Sequence, residues 1–152
     1  MQSTIVLFSR KMGEFCTIVN NSVVKPPIIA HMQTDGSFRY NDKISRTATI
    51  LNSKGQQFKN VKTYFTHQNS EESEWCSILD GVLYAKARNI KALRVENDNL
   101  SVINSLISER PPKNKLERYF FSILHVSSTL DWLDIRWIPR KFNRADDLFK
   151  IM

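Results

Sequence analysis

Four acidic positions fall where a folded chain could gather them. They are Asp35 in Thr34-Asp35-Gly36-Ser37, Glu74 at the start of an apolar periodic stretch, Asp98 in Val95-Glu96-Asn97-Asp98-Asn99, and one of the neighbours Asp146 and Asp147. On the spacing of its neighbours, Asp35 ends a β-prone run, and the glycine after it permits close approach of another backbone. Glu74 lies in the first turn of a predicted helix, Asp98 stands between a strand and a helix, and Asp146-Asp147 open a final short helix. Singly, each has an ordinary role as a turn aspartate, a partner of the helix dipole or an N-cap. Brought together on one edge of a sheet, the carboxylates would repel one another and require cations. Hard oxygen ligands of this kind suit magnesium or manganese.

The elements that must position these acids can be read from periodicity. Residues 4–7 and 15–19 are short β-prone runs around Lys11-Met12-Gly13, which predicts an N-terminal hairpin, and Pro26-Pro27 separates it from the rest. Residues 29–34, 45–52 and 58–66 predict an antiparallel meander of three strands, divided by a polar turn at 39–42 and by Ser53-Lys54-Gly55. After Asn69-Ser70 the spacing of Trp75, Ile78, Leu79, Val82, Leu83 and Ala85 predicts an amphipathic helix ending near Asn89, with Ser70 or Ser73 as its N-cap. A strand over 92–95, a helix through Val102, Ile103 and Leu106, a helix over 114–127, a strand over 131–138 and a helix over 144–152 complete the order. Strands alternating with helices require parallel crossovers, so the expected class is α/β with a five-stranded mixed sheet flanked by helices. Residues 28–152 are expected to form the domain, with 1–27 as an extension packed on it.

Composition narrows the partners. A chain of 152 residues can bury a core without disulfides, and a formal charge of +7 favours a polyanion such as nucleic acid. Cys16 and Cys76 lack metal-ligand spacing and read as reduced thiols. No apolar run approaches the roughly 20 residues that span a bilayer, and the start is unlike a signal peptide. A cytoplasmic or other intracellular protein, away from membranes, is expected. Trp75, Trp132 and Trp137 read as core residues, His31 and His67 as structural histidines on strands, and His125 as one on a helix.

At this point the chain resembles the ribonuclease H type I family over roughly residues 28 to 152, in its short form without a basic handle. The strand motif stands as Thr34-Asp35-Gly36-Ser37. The helix motif stands as Glu74 followed by Ser77 and Ile78 at plus three and plus four, Gly81 at plus seven and Val82 at plus eight. The third motif resembles Val95-Glu96-Asn97-Asp98-Asn99, and the fourth Ile138-Pro139-Arg140, Asn143, Ala145-Asp146 and Leu148. The resemblance implies a metal-dependent endonuclease that cuts the RNA strand of RNA/DNA hybrids, leaving 3′-hydroxyl and 5′-phosphate ends. It further implies that Asp35 bridges two Mg2+ ions, for which Mn2+ can substitute. Glu74 and Asp98 would complete one ion and Asp146 the other, with Asp147 as the alternate. Gly36, Ser37, Asn99 and Arg140 would meet the substrate, and a monomer is the simplest expectation. A nucleic-acid-binding module without activity and a DNA-directed nuclease of the same fold are the alternatives.

The chain also departs from the family pattern. Many members carry a histidine before the last helix, whereas none lies between Leu130 and Met152, and Arg140 stands in the short loop instead. Pro111-Pro112 leads directly into the next helix in place of a lysine-rich handle. Glu71 occupies the position three before the helix glutamate, where asparagine is frequent.

Overall fold

Strand alternation and one close helix contact set the architecture. In β3 (Ala30–Arg39) the residues Ala30, Met32 and Thr34 point to one face and are fully buried there. That face receives α1 (Ser70–Ala87). Gly81 of α1 stands where a Cβ would come within 2.6 Å of Thr34 Cγ2 and 2.7 Å of Met32 Cε, so only glycine lets the helix lie this close to the strand. Trp75, Ile78, Val82 and Ala85 fill the space between.

The computed structural model of the chain describes residues 5–11, 14–18 and 28–151. Beside β3 and α1 it contains β1 (Ile5–Lys11), β2 (Glu14–Ile18), β4 (Ile44–Ser53), β5 (Gln56–Tyr64), β6 (Ala92–Asn97), α2 (Leu100–Ile107), α3 (Glu117–Ser127), β7 (Trp132–Trp137) and α4 (Leu148–Ile151). Short 3-10 turns occupy Asn114–Leu116, Arg140–Phe142 and Arg144–Asp147. Five strands form the mixed sheet in the order β5-β4-β3-β6-β7, which is 3-2-1-4-5 by position among those five. β3, β4 and β5 pair antiparallel, whereas β6 runs parallel to both β3 and β7. Beyond β7 the sheet continues into β2 and β1, paired antiparallel. The turn residues of the expected hairpin, Met12 and Gly13, lie outside the described residues.

The large core joins α1, α2 and α3 to one face of the sheet, and Ala48, Ile50, Ala145 and Leu148 form a smaller core on the other. Asp35 pairs with Ala48, so the two-residue period turns both toward the face that the final segment covers. The helix α1 is buried nearly all round, including Glu72, Ser73, Ser77 and Asp80, rather than amphipathic. The reason is α3, which covers the side the sheet leaves open: Trp75 meets Phe120 edge to face, and Tyr119 donates its hydroxyl to Glu72 Oε2 over 2.7 Å.

Burying acids along α1 requires partners, and the sheet supplies them. Asp80 accepts hydrogen bonds from Thr47 Oγ1 at 2.6 Å and from Tyr64 Oη at 2.8 Å. His67 shares a 2.6 Å hydrogen bond with Ser45 Oγ and stacks on Tyr64.

Several sequence expectations need correction. β3 continues through Arg39 because β4 pairs with it as far as Arg39↔Ile44, so Asp35 lies inside the strand and not at its end. The N-cap of α1 is Asn69, which accepts from the Glu72 amide at 2.9 Å, while Glu72 reaches back to the Gln68 amide at 2.8 Å. Neither Ser70 nor Ser73 caps: Ser70 meets the Tyr40 hydroxyl, and Ser73 donates to Ser37 O and Arg46 O. His67 stands past the end of β5, and His31 is exposed. Trp75 and Trp132 are buried, but Trp137 is 41% exposed, because it is the last residue of β7.

Candidate active site

Three elements deliver three carboxylates to one place. Asp35 is buried within the central strand β3. Glu74 comes from the first turns of α1, and Asp98 follows directly on β6, at the carboxyl end of a parallel strand where open sheets leave a crevice. One oxygen from each of Asp35, Glu74 and Asp98 lies within 4.8 Å of the others.

Gly36 makes the first junction. A Cβ on it would lie 2.6 Å from the carbonyl carbon and oxygen of Ser73 and 2.8 Å from the Glu74 nitrogen, so the helix backbone rests directly on the strand. Its N–H donates to Glu74 Oε1 over 3.1 Å. Ser73 Oγ, 3.1 Å from Ser37 O, fastens the same crossing.

Two asparagines make the second junction. Asn97, fully buried, donates to Thr34 O and Thr34 Oγ1, each at 3.0 Å, and accepts from the Asn99 amide at 2.8 Å. Asn143 donates to Thr34 O at 2.9 Å and to Asp98 Oδ2 at 3.2 Å, and its own oxygen accepts from the Ala145 amide at 3.1 Å. Asn143 therefore ties the strand of Asp35, the Asp98 carboxylate and the segment of Asp146 to one side chain. Gln33 adds a further tie, accepting from the Arg144 amide at 2.7 Å.

Crowding makes these acids reluctant to ionise. Burial, followed by the charges of Glu74, Asp98 and Asp146, pushes the Asp35 carboxyl up to about 9. Burial and the Asp98 charge raise Glu74 to about 7, opposed by the Gly36 amide and by the Arg140 guanidinium. Asp98 is raised by burial, against the hydrogen bond from Asn143 and the charge of Arg140. Glu74 Oε2 is buried and has no hydrogen-bond partner. An orphaned carboxylate oxygen in a cluster of hard donors is what a divalent cation would satisfy, so the residues present fit a metal ion.

The remaining expected site residues have definite surroundings. Asp146 is half-buried, and its charge raises both Asp35 and Asp98. Asp147 is half exposed and faces Lys150 at 3.6 Å and Arg144 at 4.0 Å. The Gly36 amide is engaged by Glu74. Asn99, and not Asp98, is the N-cap of α2, accepting from the Val102 amide at 3.1 Å, which leaves the Asp98 carboxylate to the cluster. Ser37 is half-buried beside Gly36, and Arg140 is exposed. Sequence reasoning missed Asn97 and Gln33 and took Asn143 only as a spacing marker. A polar residue at the inward-facing end of a parallel strand, as at Asn97, was the available signal.

Comparison with known proteins defines the class. The model of the family described as reverse transcriptase-like matches residues 33–150, and the chain belongs to that family. No curated protein matches it. Among solved structures, RNase H1 from the halophilic archaeon Halobacterium salinarum NRC-1 superposes with a TM-score of 0.71 at 21% identity, covering 79% of this chain and 93% of that one. LC11-RNase H1, solved in complex with an RNA/DNA hybrid, gives 0.69 at 17% identity over 78% of this chain and 92% of that one. The N-terminal RNase H domain of a Mycobacterium tuberculosis protein gives 0.65 at 15% identity, over 82% and 95% respectively. The fold is thus RNase H-like, with its five-stranded mixed sheet flanked by helices, and the acidic cluster of Asp35, Glu74 and Asp98 could bind metal. Among the described residues no helix is long and apolar enough to cross a membrane.

Proposed function

We propose that this chain is a ribonuclease H, an endonuclease that hydrolyses the RNA strand of RNA/DNA hybrids and leaves 3′-hydroxyl and 5′-phosphate ends. The observation that carries the reading is the convergence of Asp35, Glu74 and Asp98 within 4.8 Å, around a buried and unpartnered Glu74 oxygen.

In this reading Asp35, Glu74 and Asp98 would hold one divalent ion, Mg2+ or in its place Mn2+, and Asp35 with Asp146 would hold a second. Such ions would activate the attacking water and neutralise charge on the leaving 3′ oxygen. The protein's own residues do the positioning. Gly36 and Ser73 set the depth of Glu74, and Asn143 orients Asp98. Arg140, whose charge reaches Glu74 and Asp98, stands where a phosphate would approach. Ser37 and Asn99 flank the cluster as small polar groups suited to the 2′-hydroxyls of a wide minor groove. Residues 28–152 act as the domain in this account, and residues 1–27 as an N-terminal extension of it. An intracellular protein acting as a monomer completes the proposal.

Cleavage of an end-labelled hybrid with Mg2+, beside the same RNA single-stranded and the same duplex as DNA, tests it. Cutting confined to the RNA of the hybrid and abolished by Asp35→Asn is the expected result. No cutting with either Mg2+ or Mn2+ would overturn the enzyme reading, and cutting of the DNA duplex would replace the substrate.

A further inference from the structure

Next to the acidic cluster the surface carries two aromatic rings that the proposed chemistry does not use, Trp137 bonded to Asp98 and Phe142 one residue before Asn143, which itself bonds Asp98. Trp137 ends β7, and its Nε1–H donates to the Asp98 backbone oxygen over 3.0 Å. The polar edge of the indole is thereby satisfied and its orientation fixed, while 41% of the residue stays exposed. Phe142 lies in the 3-10 turn that follows and is 55% exposed. Its carbonyl oxygen accepts from Gln33 Nε2 at 3.2 Å, which ties that turn to β3 two residues before Asp35. The Lys141 ammonium lies 5.1 Å from the centre of the Phe142 ring, and Arg140 is its neighbour in the chain.

Exposed ring faces offer area that a flat partner can cover, and cations beside them favour a partner that is also anionic. A nucleic-acid strand has both properties: base faces stack on aromatic rings regardless of sequence, and phosphates take the cations. A paired duplex keeps its base faces covered, so the bases available to stack are unpaired ones.

We propose that Trp137 and Phe142, with Arg140 and Lys141, form a stacking surface beside Asp98 for unpaired nucleobases of the strand being cut. This rests on the nuclease reading of the adjacent cluster and adds a substrate preference to it: hybrids whose RNA continues as a single strand bind better than blunt ones. Junctions at primer ends or at the margins of displaced loops have that form.

The test is binding of the full chain to a fluorescein-labelled hybrid, blunt or carrying four unpaired RNA nucleotides, followed by anisotropy with Ca2+ as the divalent ion, together with Mg2+ cleavage of both. The expected result is a preference for the extended hybrid on the order of tenfold, as stacking on one aromatic allows. Trp137→Leu and Phe142→Ala should each reduce that preference, while Trp137→Phe, which keeps a ring, retains most of it. The ratio of the two affinities is insensitive to a general loss of folded protein. Equal affinity of the unmodified chain for both hybrids, or a preference unchanged in both ring-deleting variants, overturns the proposal. Cleavage of the blunt hybrid without any preference would leave the nuclease reading standing, whereas preference without cleavage would remove that reading and leave the stacking surface.

Discussion

The Gly36 N–H donates to Glu74 Oε1 over 3.1 Å, and the same glycine lets the Ser73 carbonyl come within 2.6 Å of where a Cβ would stand. One residue therefore sets both the distance between β3 and α1 and the direction of the carboxylate that α1 contributes. Gly36→Ala must move backbone, because its nearest neighbours are main-chain atoms; the expected loss is about 2 to 3 kcal/mol, read from the denaturation midpoint. Gly81→Ala meets the Met32 and Thr34 side chains instead of main-chain atoms: the flexible Met32 end can give way, while the stiff Thr34 methyl must be relieved by a small shift of the helix. It should destabilise less than Gly36→Ala and retain more cleavage of a hybrid.

Stability without metal should fall as pH rises. Asp35, pushed up to about 9, and Glu74, up to about 7, hold protons in the folded protein at pH values where the unfolded chain, with ordinary carboxyls, has released them. Their contribution is complete below the unfolded values and is lost as pH passes first about 7 and then about 9. In chelator, Tm should therefore decline across this interval, and the Tm gain from added Mg2+ should grow over the same range as protons cease to compete. Asp35→Asn should flatten the chelator profile and abolish most of the Mg2+ response. A profile that rises with pH in chelator would contradict the crowding of these acids.

The two last acids should separate sharply. Both acids lie near Lys150, Asp146 at 4.0 Å and Asp147 at 3.6 Å, but the charge of Asp146 also acts on Asp35 and Asp98, whereas the other neighbour of Asp147 is Arg144 at the surface. Changing a partner of a metal ligand typically lowers activity about 10 to 100-fold. Loss of a ligand should exceed that, so if Asp146 holds metal as proposed, Asp146→Asn should reduce hybrid cleavage by more than about 100-fold. Asp147→Asn should leave the rate within about threefold, since an exposed ion pair contributes little. Initial rates of the two variants decide the matter.

Asp80 lies away from the cluster and should matter for stability. It is buried and accepts from Thr47 and Tyr64. Asp80→Ala leaves the buried Thr47 hydroxyl and the half-buried Tyr64 hydroxyl without their acceptor and should lower the unfolding free energy by about 1 to 3 kcal/mol. A urea midpoint that falls with the slope unchanged would show it.

The legible part of this molecule was what local chemistry determines. Two-residue alternation located β4 and β5, and the helical spacing of Trp75, Ile78 and Val82 located α1. The glycine at plus seven from Glu74 was visible as a motif, and the contact with Met32 and Thr34 gives it a physical reason. What the sequence did not reveal depends on residues far apart. The burial of the second face of α1 comes from α3, whose Tyr119 bonds Glu72 across 47 positions. The continuation of β3 past Asp35 comes from pairing with β4, and the roles of Asn97 and Asn143 come from reaching Thr34 across 63 and 109 positions. Trp137 reads as core in the sequence because an alternating pattern does not show at which residue the strand stops.

Asn143 offers the most discriminating variant, because its two ends do different work. Its nitrogen donates to Thr34 O and Asp98 Oδ2, while its oxygen caps the Ala145 amide. Asn143→Ala removes both functions. Asn143→Asp keeps an oxygen for the cap but, when ionised, can donate to neither partner and adds negative charge beside Asp98. The aspartate variant should therefore cleave hybrid more slowly than the alanine variant while retaining more order at the start of the final segment. Lowering the pH returns a proton to the new carboxyl, so Asn143→Asp should gain Tm relative to Asn143→Ala between about pH 8 and pH 5, as a shifted acid requires. Melting both variants in chelator across that range, beside amide exchange at Ala145, measures the two functions separately. Equal pH profiles for the two would mean that the nitrogen end contributes nothing to holding Asp98.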